Sequence, residues 1–198
     1  MLRSLVGSEM CIRDRETTFV LVQALAKGGR DESAIEMATE LGVDRIIPWQ
    51  ADRSVVQWKG AKEGKGLEKW RARINAAVKQ SRRARIPVLE PVVTTDDLAS
   101  QIARAIDRGS TVLALHESAT VGLGAHLRDL NRAAGTQDGM PRDVWVIVGP
   151  EGGMSDSEID RFTRAGATPT LLGREILRAS SAGPAALAAL CAVTGRWQ

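Results

Sequence analysis

The chain has 198 residues, 43% of them apolar, with 27 basic and 24 acidic side chains and a formal charge of +3. A chain of this length buries roughly two thirds of its unfolded surface and needs no covalent staple; its two cysteines, Cys11 and Cys191, and two histidines have no zinc-ligand spacing, so no metal is expected. No apolar run reaches the about 18 residues of a membrane span, and no signal-peptide core opens the chain, so the expectation is a cytoplasmic protein without a membrane partner.

Residues 1–16 show no sustained period and no firm cap, and read as an irregular leader; regular pattern begins at Thr17, and the domain is expected to run over 17–198. Thr18 to Val22 reads as a strand, Lys27-Gly28-Gly29-Arg30 as a turn, and Ile35, Ala38 and Leu41 as one face of a helix that Gly42 stops. Arg45 to Trp49 is a short strand ending near Pro48, Arg53 to Val56 another, and Lys59 to Gly66 a polar loop. Trp70, Ile74, Ala77, Val78 and Ser81 mark the next helix, ended by Pro87. Val88 to Val93 is extended, and Thr95 to Arg108 is a helix with Leu98, Ile102, Ala105 and Ile106 inward.

The carboxyl half alternates: a strand over 111–115, a helix over 121–134, a strand over 143–148, a helix opened by the capping box Ser155-Asp156-Ser157-Glu158, a strand over 168–172, and a small-residue helix over 180–194. Strands alternating with helices indicate an α/β fold with a mostly parallel sheet.

Charge is small in total but uneven. Arg71, Arg73, Lys79, Arg82, Arg83 and Arg85 fall in one stretch without an acidic residue, and Lys59, Lys62, Lys65 and Lys69 form a second cluster. Such clusters suit a phosphate backbone, and equally describe a solvated helix face.

Ligands of open α/β sheets bind beyond the carboxyl ends of the strands. Three such ends carry distinctive loops: Leu115-His116-Glu117, Gly149-Pro150-Glu151-Gly152-Gly153, and Leu172-Gly173 through Ile176, Leu177 and Arg178. None matches a phosphate-binding glycine pattern, which favours a ligand read through adenine and ribose. Plainer readings stand beside this one: Gly149, Gly152 and Gly173 as turns, Glu151 as a helix cap, Arg178 as an ion-pair partner, His116 as a packed residue. No Ser-His-Asp order or nucleophile elbow is present.

In this order the motifs resemble the RsmE family, the bacterial 16S rRNA uracil-N3 methyltransferases of the SPOUT superfamily. Lys27-Gly28-Gly29-Arg30 is similar to the family's Lys-Gly-Asp-Arg turn, Glu40-Leu41-Gly42-Val43 and Arg53-Ser54 to its next landmarks, and Gln80-Ser81-Arg82-Arg83 before Pro87 to its Gln-x-x-Arg segment. Ile147 to Gly153, followed by Ser155 and Glu158, is the most specific match, and Leu172 to Arg178 nearly as strong. Where the family shows Thr-Glu-Thr-Ala after that arginine, this chain has Ala179-Ser180-Ser181-Ala182.

The resemblance implies a SPOUT methyltransferase domain with a deep carboxyl-terminal trefoil knot formed by the segment 173–194. It also implies that the family's amino-terminal PUA-like barrel is missing here. The implied reaction is S-adenosyl-L-methionine-dependent methylation of uridine 1498 in 16S rRNA of the small ribosomal subunit, by a homodimer. Leu115, His116, Glu117, Gly149, Pro150, Glu151, Gly152, Leu172, Gly173, Ile176 and Leu177 are expected to hold the cofactor. Arg178, Arg83 and Glu151 are the catalytic candidates, with the arginines stabilising developing charge on the uracil oxygens and Glu151 as proton acceptor. Lys27, Arg30, Arg53, Lys79, Arg82, Arg83 and Arg85 are the expected RNA contacts. An inactive RNA-binding remnant and a nucleotide-binding regulatory protein are the alternatives.

Overall fold

A computed structural model describes residues 17–133 and 140–197; the leader with Cys11, the end of the helix expected to reach 134, and Gln198 lie outside the described residues. In chain order the elements are β1 (Thr18–Ala24), α1 (Arg30–Glu40), β2 (Arg45–Gln50), α2 (Ala61–Gln80), β3 (Val88–Leu89), β4 (Val93–Thr94), α3 (Thr95–Asp107), β5 (Thr111–Leu115), α4 (Leu123–Ala133), β6 (Asp143–Val148), α5 (Asp156–Arg164), β7 (Thr168–Thr170) and α6 (Ala179–Val193). The strands form one parallel sheet in the order β3-β2-β1-β6-β5-β7, with β4 also on β2.

Alternation along the central strands divides the core. Phe19, Leu21, Ile46, Val144 and Val146 face one cluster with Ile35 of α1, Trp70 and Ile74 of α2, Leu130 of α4 and Leu187 of α6. Val20, Val22, Ile47, Trp145 and Ile147 face the other, with Leu98 and Ile102 of α3 and Phe162 of α5. Both faces of the sheet are therefore covered, as parallel sheets require.

From β7, beside β5, the chain returns across the sheet, and α6 packs on β1 and β6 against α1 and α4. This return is the carboxyl-terminal knot of the SPOUT fold. It depends on small residues: a Cβ on Gly183 would lie 2.8 Å from Cδ1 of the buried Leu21. Arg196 then ties down the end of the chain, donating to the carbonyls of Gly42 and Thr17 and to Asp44 over the ring of Phe19.

Four local readings are corrected. Pro48 lies inside β2, not at its end; it faces the break between β3 and β4, where no ladder partner is lost. Arg53 to Val56 is irregular rather than a strand. The loop expected over 59–66 is mostly helix, since α2 begins at Ala61; a Cβ on Gly66 would meet the Trp58 ring at 2.3 Å, so the glycine makes room for an indole that packs edge-on against Trp70. Finally, α2 ends at Gln80, well before Pro87. Arg82 adopts φ 55, and the N–H groups of Arg82 and Arg83 bond to the carbonyls of Lys79 and Val78, closing the helix as a Schellman motif.

Candidate active site

All three loops singled out in the sequence open at the carboxyl edge of the sheet around one cavity of about 880 Å³. Leu115, Val148, Leu172, Ile176, Leu177 and Ala182 give it apolar walls; Arg30, Arg53, Glu117, Asp156, Glu175 and Arg178 give it a charged rim. The volume lies within the roughly 300–1,000 Å³ typical of small-molecule sites.

Of the residues expected to hold a cofactor, Leu115, His116, Glu117, Gly149, Pro150, Glu151, Leu172, Gly173, Ile176 and Leu177 all line this cavity. Gly152 does not. It backs the wall, where its missing side chain admits Arg53, whose Cβ lies 3.3 Å from where a glycine Cβ would stand. Ser118, Met154, Asp156, Glu175 and Ala182 also line the cavity. Glu175 lies within the third recognised loop and the others lie close to the loops in sequence, which is the only signal for them.

Each loop is held by its neighbours. The His116 N–H donates to the Thr170 carbonyl at 3.0 Å, fastening β5 to β7, while His116 Nδ1 lies 2.8 Å from Ser118 Oγ. Arg53 Nη1 donates to the carbonyls of Gly152 (3.0 Å) and Met154 (3.3 Å), so its guanidinium braces the glycine loop. Beneath it Glu158 is fully buried; it accepts from the N–H groups of Asp52 and Ser155 and from Thr95 Oγ1. The Ser155 hydroxyl accepts the Glu158 N–H, completing the capping box seen in the sequence. One carboxylate thus fixes both the start of α5 and the segment carrying Arg53.

Glu151 Oε1 accepts from Arg30 Nη1 at 2.9 Å and from the Lys27 N–H at 3.0 Å. Burial pushes its carboxyl up, but hydrogen bonds from its own N–H, Arg30 and Lys27 outweigh burial and hold it below the usual glutamate range. A carboxylate so held is a weak proton acceptor, and its visible task is to clamp the β1–α1 turn. Gly28 and Gly29 carry that turn at φ 67 and 73, where glycine replaces the family aspartate without strain.

Arg178 stands at the mouth. Its carbonyl accepts the N–H groups of Ser181 and Ala182, and its exposed side chain makes no ion pair among the described residues. Its guanidinium can therefore meet a substrate oxygen. Arg83 is placed differently. It does not line the cavity: Nη1 donates to the carbonyls of Thr39 and Val43, both at 2.8 Å, and Nη2 lies 3.9 Å from Asp44. With its side chain 8% exposed, Arg83 closes the turn between α1 and β2, which corrects its expected position beside the reacting base. Lys79, Arg82 and Arg85 are exposed nearby.

No helix among the described residues is long and apolar enough to cross a membrane, and no cluster of metal-ligating side chains occurs among them.

Known proteins resemble this chain in sequence and in fold. The ribosomal RNA small subunit methyltransferases E of Mycobacterium bovis and Mycobacterium tuberculosis are each 43% identical to this chain over 177 residues, 89% of it and 64% of the relative. The chain thus spans slightly less than two thirds of these curated relatives. A ribosomal RNA small subunit methyltransferase E of Neisseria gonorrhoeae, whose crystal structure is bound to S-adenosyl methionine, superposes with a TM-score of 0.73 at 25% identity, covering 89% of this chain and 66% of that one. A Legionella pneumophila protein in complex with the same cofactor gives 0.73 at 32%, with the same coverage. Residues 7–191 match the RNA methyltransferase domain, and on the match, the knotted parallel fold and the ordered motifs together, the chain belongs to the RsmE-like SPOUT family of RNA methyltransferases.

Proposed function

We propose that this chain binds S-adenosyl-L-methionine in the cavity at the carboxyl edge of the sheet and methylates N3 of a uridine in 16S rRNA, uridine 1498 of the small ribosomal subunit. The observation that carries the reading is the convergence of three loops, 115–118, 149–154 and 171–178, on one cavity with Arg178 at its mouth. The lining fits the cofactor. Leu115, Leu172, Ile176 and Leu177 offer apolar surface to an adenine. The loops bring backbone groups within reach of a ribose, and the carboxylates of Glu117, Asp156 and Glu175 suit its cationic end.

When bound, S-adenosylmethionine supplies a methyl group already made electrophilic by its sulfonium. What remains for the protein is the uracil, whose N3 keeps its proton at neutral pH. Arg178 stabilises charge developing on the uracil oxygens as the N3 proton passes to solvent water at the open mouth of the cavity; the arginine stays charged and cannot take the proton itself. Glu151, engaged by Arg30, is not assigned that proton. Holding methyl and N3 in contact supplies much of the remaining rate, and the base must be unstacked to enter.

The functional unit is a homodimer. Ala185 and Ala192 on the outer side of α6 are exposed, with Ala188 and Ala189 half-buried between them, and Ile176 (79% exposed) and Leu177 (41%) present apolar surface at the cavity mouth. A partner chain covering this stripe removes both from water.

The test is methyl transfer to small ribosomal subunits lacking the mark, with the product base identified by mass. The expected result is 3-methyluridine, and an Arg178→Ala variant that loses turnover about 100-fold while cofactor affinity is kept. Cofactor binding without product indicates an inactive remnant, and binding of ATP in place of S-adenosylmethionine indicates a regulatory nucleotide site. Full activity of Arg178→Ala removes the assignment of that residue.

A further inference from the structure

The two basic clusters of α2 lie at opposite edges of the sheet. In a parallel sheet every helix that follows a strand runs from the carboxyl edge back to the amino edge, so the 20 residues of α2 span about 30 Å between the two. Arg83 and Arg85 share a small cleft with Thr18, Asp44 and Val88, at the amino ends of β1, β2 and β3. The cavity is at the carboxyl ends. Lys79, Arg82 and Arg85 are therefore a helix length away from the cavity of their own chain.

The start of α2 is on the cavity side. Gln50 at the end of β2 bonds to the backbone of Val56 and Trp58, anchoring the connection that leads into Lys59. Lys69 and Arg73 bond to Glu32 in the first turn of α1, which sets the level of the two helices. By the rise of a helix, the first turns of α2 then project about 10 Å beyond the start of α1, standing proud of the edge where the cavity opens. Lys62 and Lys65 occupy that projection and Lys59 immediately precedes it, all exposed and without an ion pair among the described residues; Glu63 and Glu68 are the carboxylates on the same stretch. Lys27 is exposed on the neighbouring turn, whereas Arg30 is engaged by Glu151 and Arg53 by two carbonyls.

Cations in the first turn oppose the helix dipole. The contrast within this chain is direct: α3 and α5 open with Asp96 and Asp97, and with Asp156 and Glu158, and neither first turn is basic. Glu63 offsets part of this charge in the first turn of α2, but Lys62 and Lys65 themselves gain nothing from the dipole of that helix and stay available to an outside anion.

We propose that Lys59, Lys62 and Lys65, with Lys27, are the phosphate-contacting surface that seats the RNA strand leading to the cavity, in place of the cluster at Lys79, Arg82 and Arg85. This rests on the RNA methyltransferase reading above. It predicts a strand track along the carboxyl edge from the tip of α2, past the β1–α1 turn, to Arg178.

The experiment compares K59Q/K62Q/K65Q with K79Q/R82Q/R85Q in the full chain. Affinity for unmethylated small ribosomal subunits is measured against salt, and S-adenosylmethionine affinity by calorimetry. Each lost phosphate contact lowers the salt slope by about 0.7–0.9, so the first variant should lose about two slope units and about 10-fold or more in RNA affinity near 150 mM salt. Its cofactor affinity should be unchanged, and the second variant should stay within about 2-fold of the parent. Equal losses in both variants, or loss only in the second, overturns the proposal while leaving the methyltransferase reading intact. A parent chain that binds the cofactor but no RNA overturns both.

Discussion

Arg30 and Glu151 meet across the mouth of the cavity, Nη1 to Oε1 at 2.9 Å, although 121 positions separate them in the chain. The pair joins the β1–α1 turn to the glycine loop after β6, and the same carboxylate oxygen accepts the Lys27 N–H. Glu151→Gln should loosen that junction. A partly exposed ion pair is worth about 0.2–1 kcal/mol, so the fold should survive and S-adenosylmethionine affinity fall several-fold by calorimetry. The pH dependence has a defined sign. Because the folded carboxyl titrates below its ordinary 4.5, its stabilisation is present above that value and is lost as pH falls through the folded value. The difference in urea midpoint between parent and variant should be full at pH 7 and close in acid.

Arg53 tests bracing against RNA contact. Its Nη1 reaches two carbonyls of the glycine loop from a planar guanidinium, a donor geometry that the tetrahedral ammonium of Arg53→Lys reproduces less well. The expected outcome is weaker cofactor binding in Arg53→Lys, a larger loss in Arg53→Ala, and an unaltered salt slope for RNA. A slope reduced by about one unit with normal cofactor affinity would instead make Arg53 a phosphate contact.

Arg83→Ala should act on stability. Two carbonyls and Asp44 lose a buried cation, at about 2–4 kcal/mol, or roughly 5–15 °C in Tm for a chain of this size. Turnover per folded molecule, measured well below the new Tm, should stay within a few-fold of the parent. A 100-fold loss at full folding would place Arg83 in catalysis after all.

Gly183→Val probes the packing of the knot. Even a Cβ there would stand 2.8 Å from Leu21 and 3.4 Å from Val148, and both residues belong to the buried core. Overpacking costs about 1–3 kcal/mol; the variant should show a lower urea midpoint and weaker cofactor binding, since Ala179 and Ala182 at the start of the same helix line the cavity. Unchanged stability would mean that α6 does not press on the sheet as described.

Local and ordered signals made much of this protein legible in its sequence. Near-continuous apolar runs found β1, β5 and β6, because a parallel strand covered on both faces must be apolar on both. The capping box at Ser155 and Glu158 found the start of α5, and the glycine loops found the cavity, because backbone that approaches a ligand has few alternatives. The sequence failed where a residue's partner is distant. Gly64 and Gly66 argue against a helix until Trp58 is seen lying over Gly66; Pro48 argues for a strand end until the break between β3 and β4 is seen opposite it. The role of a charge was least legible of all. Arg83, Lys59 and Glu151 are equally polar as letters, yet one caps a turn, one is exposed just before α2 and one clamps a loop. Those assignments follow from the parallel sheet, which sends the two ends of α2 to opposite edges and brings Arg30 to Glu151 across its centre.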